Sequence, residues 1–308
     1  MAGSVFNADE LAAQRLAGGG PRGHGIQDFM SEPQRHFLAQ LPYVFVSAID
    51  GAGWPLATML TGNPGFVQSP DSVTLAVAAL PDACDPAAAA CVFDREIGIL
   101  GIDLARRRRS RVNGRIIDRD AFGIRVAVSQ SFGNCPQYIQ RRALAPRVES
   151  FAGLSHPAES FTQLDAAAQA AIAGADTFFV ASRSKSLDGA ADGADISHRG
   201  GRPGFVRVDG NVLTIPDFRG NRYFNTLGNL IAEPRASLLF VDFETGDLLQ
   251  LQGRTEVDWN ARAAETIAGA ERLWRFHVAR GWRRNADLPL RWAFVDYSPT
   301  TLHTGLWR

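Results

Sequence analysis

The hydrophobic positions of the chain fall into short runs that are closed by turn-forming residues. YVFVSAI, at residues 43–49, has the pattern of a buried β-strand and ends at the turn Asp50-Gly51. Similar short runs follow at GFVQ, VTLAV, IGILGI, SRVNGRII and IRVAVSQ, each bounded by Gly, Pro, Asn or Asp. This spacing is typical of an antiparallel barrel or sandwich, and it differs from the strand–helix alternation of a parallel sheet.

Helical spacing is confined to a few segments. Residues 8–16 predict a short amphipathic helix, which is followed by the flexible loop GGGPRGHG, and residues 32–41 and 165–175 predict two more helices. The segment 261–282 has helical spacing in its first part, and the later run LPLRWAFVDYSP, residues 288–299, is strand-like. We expect the tail LHTGLWR to be docked, because a free tail would leave its leucine and tryptophan in water.

An internal repeat is the most informative feature of the sequence. GNPGFV at residues 62–67 recurs as GRPGFV at residues 201–206, which begins 139 positions later. YVFVSAI in turn matches TFFVASR at residues 177–183, 134 positions later. The 139-position spacing continues without a gap and pairs Val73 with Val212, Leu100 with Leu239, Asp103 with Asp242, and Gly114-Arg115 with Gly253-Arg254.

The repeat predicts a duplicated domain. We expect a mainly β fold, a tandem pair of split β-barrel halves with flanking helices. Residues 1–28 form an N-terminal arm, 29–144 the first half, 145–164 a linker with one or two helical turns, and 165–308 the second half with a C-terminal helix and strand.

Composition and charge exclude several classes of function. Lys+Arg and Asp+Glu are both 32, so no overall field recruits nucleic acid or an anionic membrane, and any anion site must be local. Cys84, Cys91 and Cys135 lack CxxC or Cys/His spacing, which favours reduced thiols over a disulfide framework or a metal site. The acidic N-terminus lacks a signal-peptide pattern, and no stretch approaches the roughly 20 apolar residues of a membrane span. We expect a cytoplasmic protein.

Two arginine- or glycine-rich motifs have simple alternatives. Residues 18–23 match GxGxxG, but the motif follows a helix and contains a proline, so a dinucleotide site is not supported. The arginine run at 105–111 could be a nucleic-acid or phosphate patch. Its first four residues align with the turn at 244–247, so we favour a solvated hairpin tip.

The segment TIPDFRGNRYFNTLGNL, residues 214–230, has the composition of a phosphate-binding loop. Arg219 and Arg222 bracket a Gly-Asn pair, and amide and hydroxyl side chains follow at helical spacing. Guanidinium groups bind phosphate oxygens in pairs, glycine lets backbone N–H groups approach, and a helix N-terminus adds a favourable dipole. A polar loop with a well-capped helix explains the same residues, and the sequence leaves both interpretations open.

The segment SHRGG, residues 197–201, could receive a flat ring against its two glycines. The first half has Met59 and Leu60 where the second has a histidine and an arginine, so the anion-binding groups are present in one half only. Cys135 stands in a polar turn of the first half and could line the same site, although a small buried thiol is the interpretation we favour.

These segments resemble the pyridoxamine 5'-phosphate oxidase-like superfamily of FMN-binding split barrels. The similarity rests on the GxPGFV strand, the polar loop, the residues EPRA at 233–236 and the hairpin ending in Gly-Arg, and it is strongest over 165–257. It implies FMN at the interface between two barrel halves, with a phosphate clamp of Arg219, Asn221 and Arg222. The predicted cofactor contacts are Ser197, His198, Arg199, Gly200, Pro216, Asp217, Arg219, Gly220, Asn221, Arg222, Asn225, Thr226 and Asn229.

The resemblance also limits the predicted activity. The Arg-Lys pair of the phosphate loop and the C-terminal Arg/His motif of true pyridoxamine phosphate oxidases have no clear counterpart, so vitamin B6 oxidation is not supported. We expect an FMN-dependent oxidoreductase, a homodimer acting on a small-molecule substrate, in which His198 or Arg199 stabilises the reduced flavin. The alternatives are a non-catalytic flavin- or haem-binding carrier or sensor, and a dimerisation scaffold without a cofactor.

Overall fold

The first half of the chain forms a seven-stranded antiparallel sheet. The computed structural model describes residues 4–145, 157–259, 264–285 and 288–307. Within the sheet the strands lie in the order β2-β1-β5-β6-β7-β4-β3. They are β1 (Tyr43–Ile49), β2 (Pro55–Thr61), β3 (Val67–Gln68), β4 (Thr74–Val77), β5 (Glu96–Asp103), β6 (Arg108–Arg119) and β7 (Ile124–Asn134).

The second half repeats this architecture. Its main strands lie in the order β11-β10-β14-β15-β16-β13-β12. This is the strand order of the first sheet, with each strand replaced by its counterpart in the repeat. The mainly β, tandem split-barrel prediction is therefore confirmed. The strands are β10 (Thr177–Arg183), β11 (Ala194–Gly200), β12 (Arg207–Asp209), β13 (Val212–Phe218), β14 (Arg235–Val241), β15 (Leu248–Asp258) and β16 (Ala270–Arg284).

Short elements complete the two halves. β8 (Arg141–Leu144) pairs with β17 (Trp292–Asp296), and β9 (Glu159–Phe161) adds to the edge of the second sheet beside β16. A 3-10 turn (Pro86–Ala89) follows β4. The helices are α1 (Ala8–Leu16), α2 (Glu32–Ala39), α3 (Ala166–Gly174), α4 (Asn225–Ala232) and α5 (Pro299–Leu302). Among the described residues, no helix combines the length and apolar character needed to cross a bilayer.

The segment 261–282 does not keep the helical spacing of its first part. From residue 270 onward it is the long strand β16, and Trp274 and Phe276 are fully buried at alternating positions, which is the period of a strand. Residues 261–263 lie outside the described residues, as does the part of the predicted linker at 146–156.

One repeat equivalence needs correction by a single residue. The backbone carbonyl of Val73 accepts a hydrogen bond from the N–H of Val128, and that of Asn211 accepts one from the N–H of Val278. Val73 is therefore the counterpart of Asn211, not of Val212. The β3–β4 connection is one residue longer than the connection between β12 and β13, and this difference shifts the alignment within the half.

The two halves meet through equivalent faces. Phe45 on β1 stacks on Phe179 on β10 with 3.4 Å between ring centroids, and the two residues occupy the same place in the repeat. Equivalent residues contact each other in this way when two units are related by a two-fold axis. Around the stacked rings the interface is apolar and buried, and the rings pack with Tyr43, Ala57, Met59, Leu100, Ile196 and Leu239.

The N-terminal arm and the C-terminal tail both pack on the second half. A Cβ at Gly228 of α4 would lie 2.6 Å from the Cα of Glu10, so α1 rests directly on the backbone of α4. Asn7 begins α1 with a capping box and donates from Nδ2 to Asn229 Oδ1 at 3.1 Å. At the other end, Trp307 donates from Nε1 to the carbonyl of Phe205 at 2.7 Å, as expected for a docked tail.

Candidate anion-binding cleft

A cleft of about 110 Å³ lies where the start of β6 in the first half faces β11, β13 and α4 of the second. Both halves line it. The first half supplies the strand residues Arg109 and Arg111 and the turn that contains Tyr138. The second half supplies most of the residues predicted from the sequence, namely Ser197, His198, Arg199, Gly200, Pro216, Asp217, Gly220, Asn221, Arg222, Asn225 and Thr226.

Two predicted contacts lie elsewhere. The side chain of Arg219 is exposed and does not line the cleft, and its carbonyl accepts a hydrogen bond from Tyr138 Oη at 3.0 Å. Asn229 is buried under α1, where it donates to Ser182 Oγ at 3.2 Å. The helical spacing of the amide side chains predicted a common face, but only the first turn of α4 reaches the cleft.

Arg111 is the best-anchored cation of the cleft. Its side chain is 5% exposed and forms an ion pair with Asp195 at 2.8 Å. Nη2 also donates to Ser197 Oγ at 2.6 Å, and Thr226 Oγ1 donates to the same hydroxyl at 2.9 Å. Arg111 thus links a first-half strand to β11 and to the start of α4.

Arg109 lies beside Arg111 on the same side of β6, but it has no carboxylate partner among the described residues. Its Nε donates to the carbonyl of Cys135 at 2.9 Å, and Nη1 lies 3.2 Å from His198 Nδ1. Loss of hydration, and then the neighbouring charge of Arg111, lower the pKa of Arg109 to about 9. A guanidinium in this position is stabilised by any anion that enters the cleft.

His198 carries an unused hydrogen-bond donor. Burial, together with the charge of Arg109, lowers its pKa well below 6.5, so the imidazole is neutral. A guanidinium can only donate, which makes Nδ1 the acceptor and leaves the proton on Nε2. Nε2 is buried without a partner among the described residues.

Asp217 holds two further cations in place. Its carboxylate forms ion pairs with Arg199, at 2.5 Å, and with Arg272. Arg272 also pairs with Glu271 at 3.0 Å, and its guanidinium stacks on the ring of Phe224, 4.9 Å from the centroid. These contacts fix the cationic wall of the cleft before any ligand arrives.

The loop before α4 has an unusual backbone. Arg222 and Phe224 both have φ of 61°, in the left-handed region that non-glycine residues rarely adopt. Arg222 lines the cleft, and its Nη2 donates to the carbonyl of Ala17 at the end of α1. The arm therefore helps to hold this loop at the mouth of the cleft.

The charges of the cleft do not balance. Five guanidinium groups face three carboxylates, which leaves two positive charges. The cations are Arg109, Arg111, Arg199, Arg222 and Arg272, and the carboxylates are Asp195, Asp217 and Glu271. A phosphate monoester carries about two negative charges near neutral pH, so its charge matches this excess.

The contribution of the arginine run was missed in the sequence. Only residues 104–107 form the hairpin tip, where the side chain of Arg106 is 78% exposed. β6 begins at residue 108, and its two-residue period turns Arg109 and Arg111 toward the cleft. The signal was present in the alternate spacing of these two arginines beyond the turn.

The two glycines of SHRGG make room for protein atoms. A Cβ at Gly200 would lie 2.1 Å from the carbonyl oxygen of Tyr138, and one at Gly201 would lie 2.3 Å from the Phe205 ring. These contacts explain why both positions are glycine, and the expectation that a flat ring rests against them stays a prediction. Cys135 contacts the site only through its carbonyl, because its thiol does not line the cleft.

Glu10 connects the arm to the cleft and should make stability depend on pH. It accepts hydrogen bonds from Asn225 Nδ2 at 2.6 Å and from the Asn7 N–H at 2.9 Å, and burial raises its pKa from 4.5 to about 8. The folded state then keeps a proton that the unfolded state releases. Raising the pH from 6 to 7 should lower the free energy of unfolding by about 1 kcal/mol.

Urea unfolding at the two pH values measures this effect, and Glu10→Gln is the matched control because it cannot ionise. The difference between pH 6 and 7 should be smaller in the variant by about 1 kcal/mol. Equal pH dependence in both proteins would mean that Glu10 is ionised in the folded state.

Comparison with known proteins finds solved structures at low sequence identity. The sequence matches no protein-family model and no curated protein. Among solved structures, HupZ of Group A Streptococcus is 14% identical over 39% of this chain and 94% of its own, with a TM-score of 0.32. A protein from Mesorhizobium loti described as FAD-binding is 14% identical over 40% of this chain and 96% of its own, with a TM-score of 0.26. Each likeness spans less than half of this chain.

Proposed function

We propose that the cleft binds the phosphate of FMN and that the protein is a flavin-dependent oxidoreductase. The observation that carries the proposal is the guanidinium of Arg109, which lines the cleft and has no carboxylate partner among the described residues. Hydrogen bonds from charged donors to phosphate are among the strongest in proteins. A phosphate group supplies the negative charge that this guanidinium lacks.

The size of the cleft indicates which part of the cofactor it would hold. Ligand pockets usually have volumes of about 300–1,000 Å³, so the 110 Å³ of this cleft fit a phosphate group but not a whole FMN. The ring would extend through the mouth, which the exposed residues Gly220 and Asn221 border. The resemblance of the sequence to FMN-binding split barrels supports the same ligand.

Each part of the cleft has a role in this proposal. Arg109 and Arg111 bind the phosphate, the first turn of α4 adds N–H donors, and Asp217 positions Arg199 and Arg272. A bound flavin supplies hydride or electron transfer. The positive wall would favour the anionic reduced form, and a small-molecule substrate and a homodimer remain predictions.

The visible spectrum of the purified protein tests the proposal. A flavin spectrum, with FMN identified by mass after heat release, is expected, or else saturable uptake of added FMN. Riboflavin lacks the phosphate and should bind at least 100-fold more weakly, the equivalent of about 2.7 kcal/mol. A protein that stays colourless with excess FMN would overturn the proposal. Bound FMN without turnover of NAD(P)H or an oxidisable substrate would favour a carrier or sensor.

Two neighbouring arginines should contribute differently to FMN binding. Arg222 lines the cleft, whereas Arg219 is exposed. Arg222→Ala should weaken FMN binding about tenfold, since a hydrogen bond to a charged group contributes about 1.5–3 kcal/mol. Arg219→Ala is the matched control and should change affinity less than about twofold. Fluorescence titration with FMN measures both, and the reverse order would place the phosphate on the solvent side of the loop.

A further inference from the structure

The two-fold relation between the halves defines a second location that is equivalent to the cleft. Strand register identifies its residues. Val46 pairs with Thr58 as Val180 pairs with Ser197, so Thr58 is the counterpart of Ser197. Leu100 pairs with Arg111 as Leu239 pairs with Gln250, which makes Gln250 the counterpart of Arg111.

A cation, Arg284 on β16, also lies at this second location, and the register of the neighbouring strands identifies its counterpart. Arg109 pairs with Asn134 across β6 and β7, and Leu248 pairs with Arg284 across β15 and β16. Leu248 therefore replaces Arg109, and Arg284 replaces Asn134. The positive charge is kept, but it has moved to the neighbouring strand.

A carboxylate of the chain itself fills this location. Asp85 is 4% exposed and forms an ion pair with Arg284. Gln250 Nε2 donates to Asp85 Oδ1 at 3.0 Å, and Thr58 Oγ1 donates to Oδ2. The N–H of Ala87 donates to Oδ1 at 2.8 Å, because Asp85 caps the 3-10 turn that follows β4.

This arrangement has the same kinds of groups as the cleft, and the Asp85 carboxylate takes the place of a bound anion. Both places contain a hydroxyl group, a polar side chain from the opposite half and a guanidinium group. The hydroxyl group belongs to the second strand of its half, and all of these groups lie beside the first turn of a short helix. α4 follows β13 in the cleft, and the 3-10 turn follows β4 here. A carboxylate receives four donors, as a bound oxyanion would.

We propose that the first half carries a second oxyanion site which the Asp85 carboxylate closes from within. Removal of that carboxylate opens the site to a small carboxylate such as formate. A cavity of about 740 Å³, lined by Cys84, Asp85, Arg119 and Trp282 among others, borders the site and gives such an ion a route from solvent. The inference rests on strand register and on the contacts of Asp85, and it holds whether or not the cleft binds FMN.

Thermal unfolding of Asp85→Ala in sodium formate tests the proposal. The variant should unfold about 6 °C or more below the wild type, because a buried cation loses its partner. Formate should restore most of the loss with a saturating dependence, and sodium chloride at equal ionic strength should not. Wild-type protein, whose second site is filled, gives the baseline, because formate can act on it only through the cleft. A folded variant whose formate response, relative to chloride, is no larger than that of the wild type overturns the proposal.

A double variant keeps the test decisive if Asp85→Ala does not fold. Asp85→Ala/Arg284→Met lacks both charges and should fold, but its formate response should not exceed that of the wild type. Refolding of the single variant in formate should then recover a cooperative transition. Failure to recover, while the double variant folds, would contradict the proposal. A formate response above the wild-type level that persists in the double variant would assign the effect to another part of the protein and would also contradict the proposal.

Discussion

Replacing Arg109 by methionine should weaken FMN binding about 100-fold and leave the ligand-free protein at least as stable as the wild type. The loss corresponds to about 2.7 kcal/mol, which is within the range for hydrogen bonds from a charged donor to phosphate. Stability should not fall, because Arg109 gives up hydrogen bonds to two backbone carbonyls and to a neutral imidazole while a poorly hydrated charge is removed. Titration with FMN and urea unfolding of the apoprotein measure the two effects.

Riboflavin provides the control for this variant. It has no phosphate, so Arg109→Met should change its affinity less than about threefold. Wild-type FMN affinity in the variant would show that the phosphate lies elsewhere. A loss of stability in the apoprotein would show instead that the contacts of Arg109 with the Cys135 carbonyl and His198 stabilise the fold.

Arg111→Met should have the opposite profile. The substitution leaves Asp195, which is 3% exposed, without its cation, and breaking a buried ion pair in this way costs about 3–5 kcal/mol. Asn113 Nδ2, at 3.4 Å from the same carboxylate, offers only a weak substitute. Urea unfolding of the apoprotein should therefore show a large loss of stability before any ligand is added.

The double variant Arg111→Met/Asp195→Leu removes both charges. It therefore separates the cost of leaving Asp195 without a cation from the contribution of the intact ion pair to stability. An apolar pair of similar volume often matches or exceeds a buried ion pair in stability, so most of the loss should be recovered. FMN binding should stay weak, because the cation is still missing. A double variant as unstable as the single one would assign the cost to the hydrogen bonds of Arg111 with Ser197 and Asn225.

The duplicated fold could be predicted because its evidence is local. A GxPGFV segment folds the same way wherever it occurs, and its recurrence fixed the pairing of β1, β5 and β6 with β10, β14 and β15. The error at Val73 arose in a loop, where one extra residue leaves no trace in the hydrophobic pattern. The strand β16 was not predicted, because the alanine-rich sequence before it has a helical spacing and tertiary pairing determines the structure from residue 270 onward.

The cleft could be predicted only in part, for a related reason. The loop before α4 is one continuous segment, and its composition alone indicates an anion site. Arg109 and Arg111 join it from 86 or more residues away, through the packing of one half on the other. The same packing makes Glu10, in a segment predicted to be a separate arm, a neighbour of Asn225.

The stacked contact of Phe45 on Phe179 joins two units that share a single backbone. Subunits of a symmetric dimer separate on dilution, and every mutation appears in both subunits and therefore twice in their interface. In a covalent tandem the effective concentration of one unit for the other does not depend on how much protein is present. Each half can also change without its partner, so one location could specialise in ligand capture while the other became part of the scaffold.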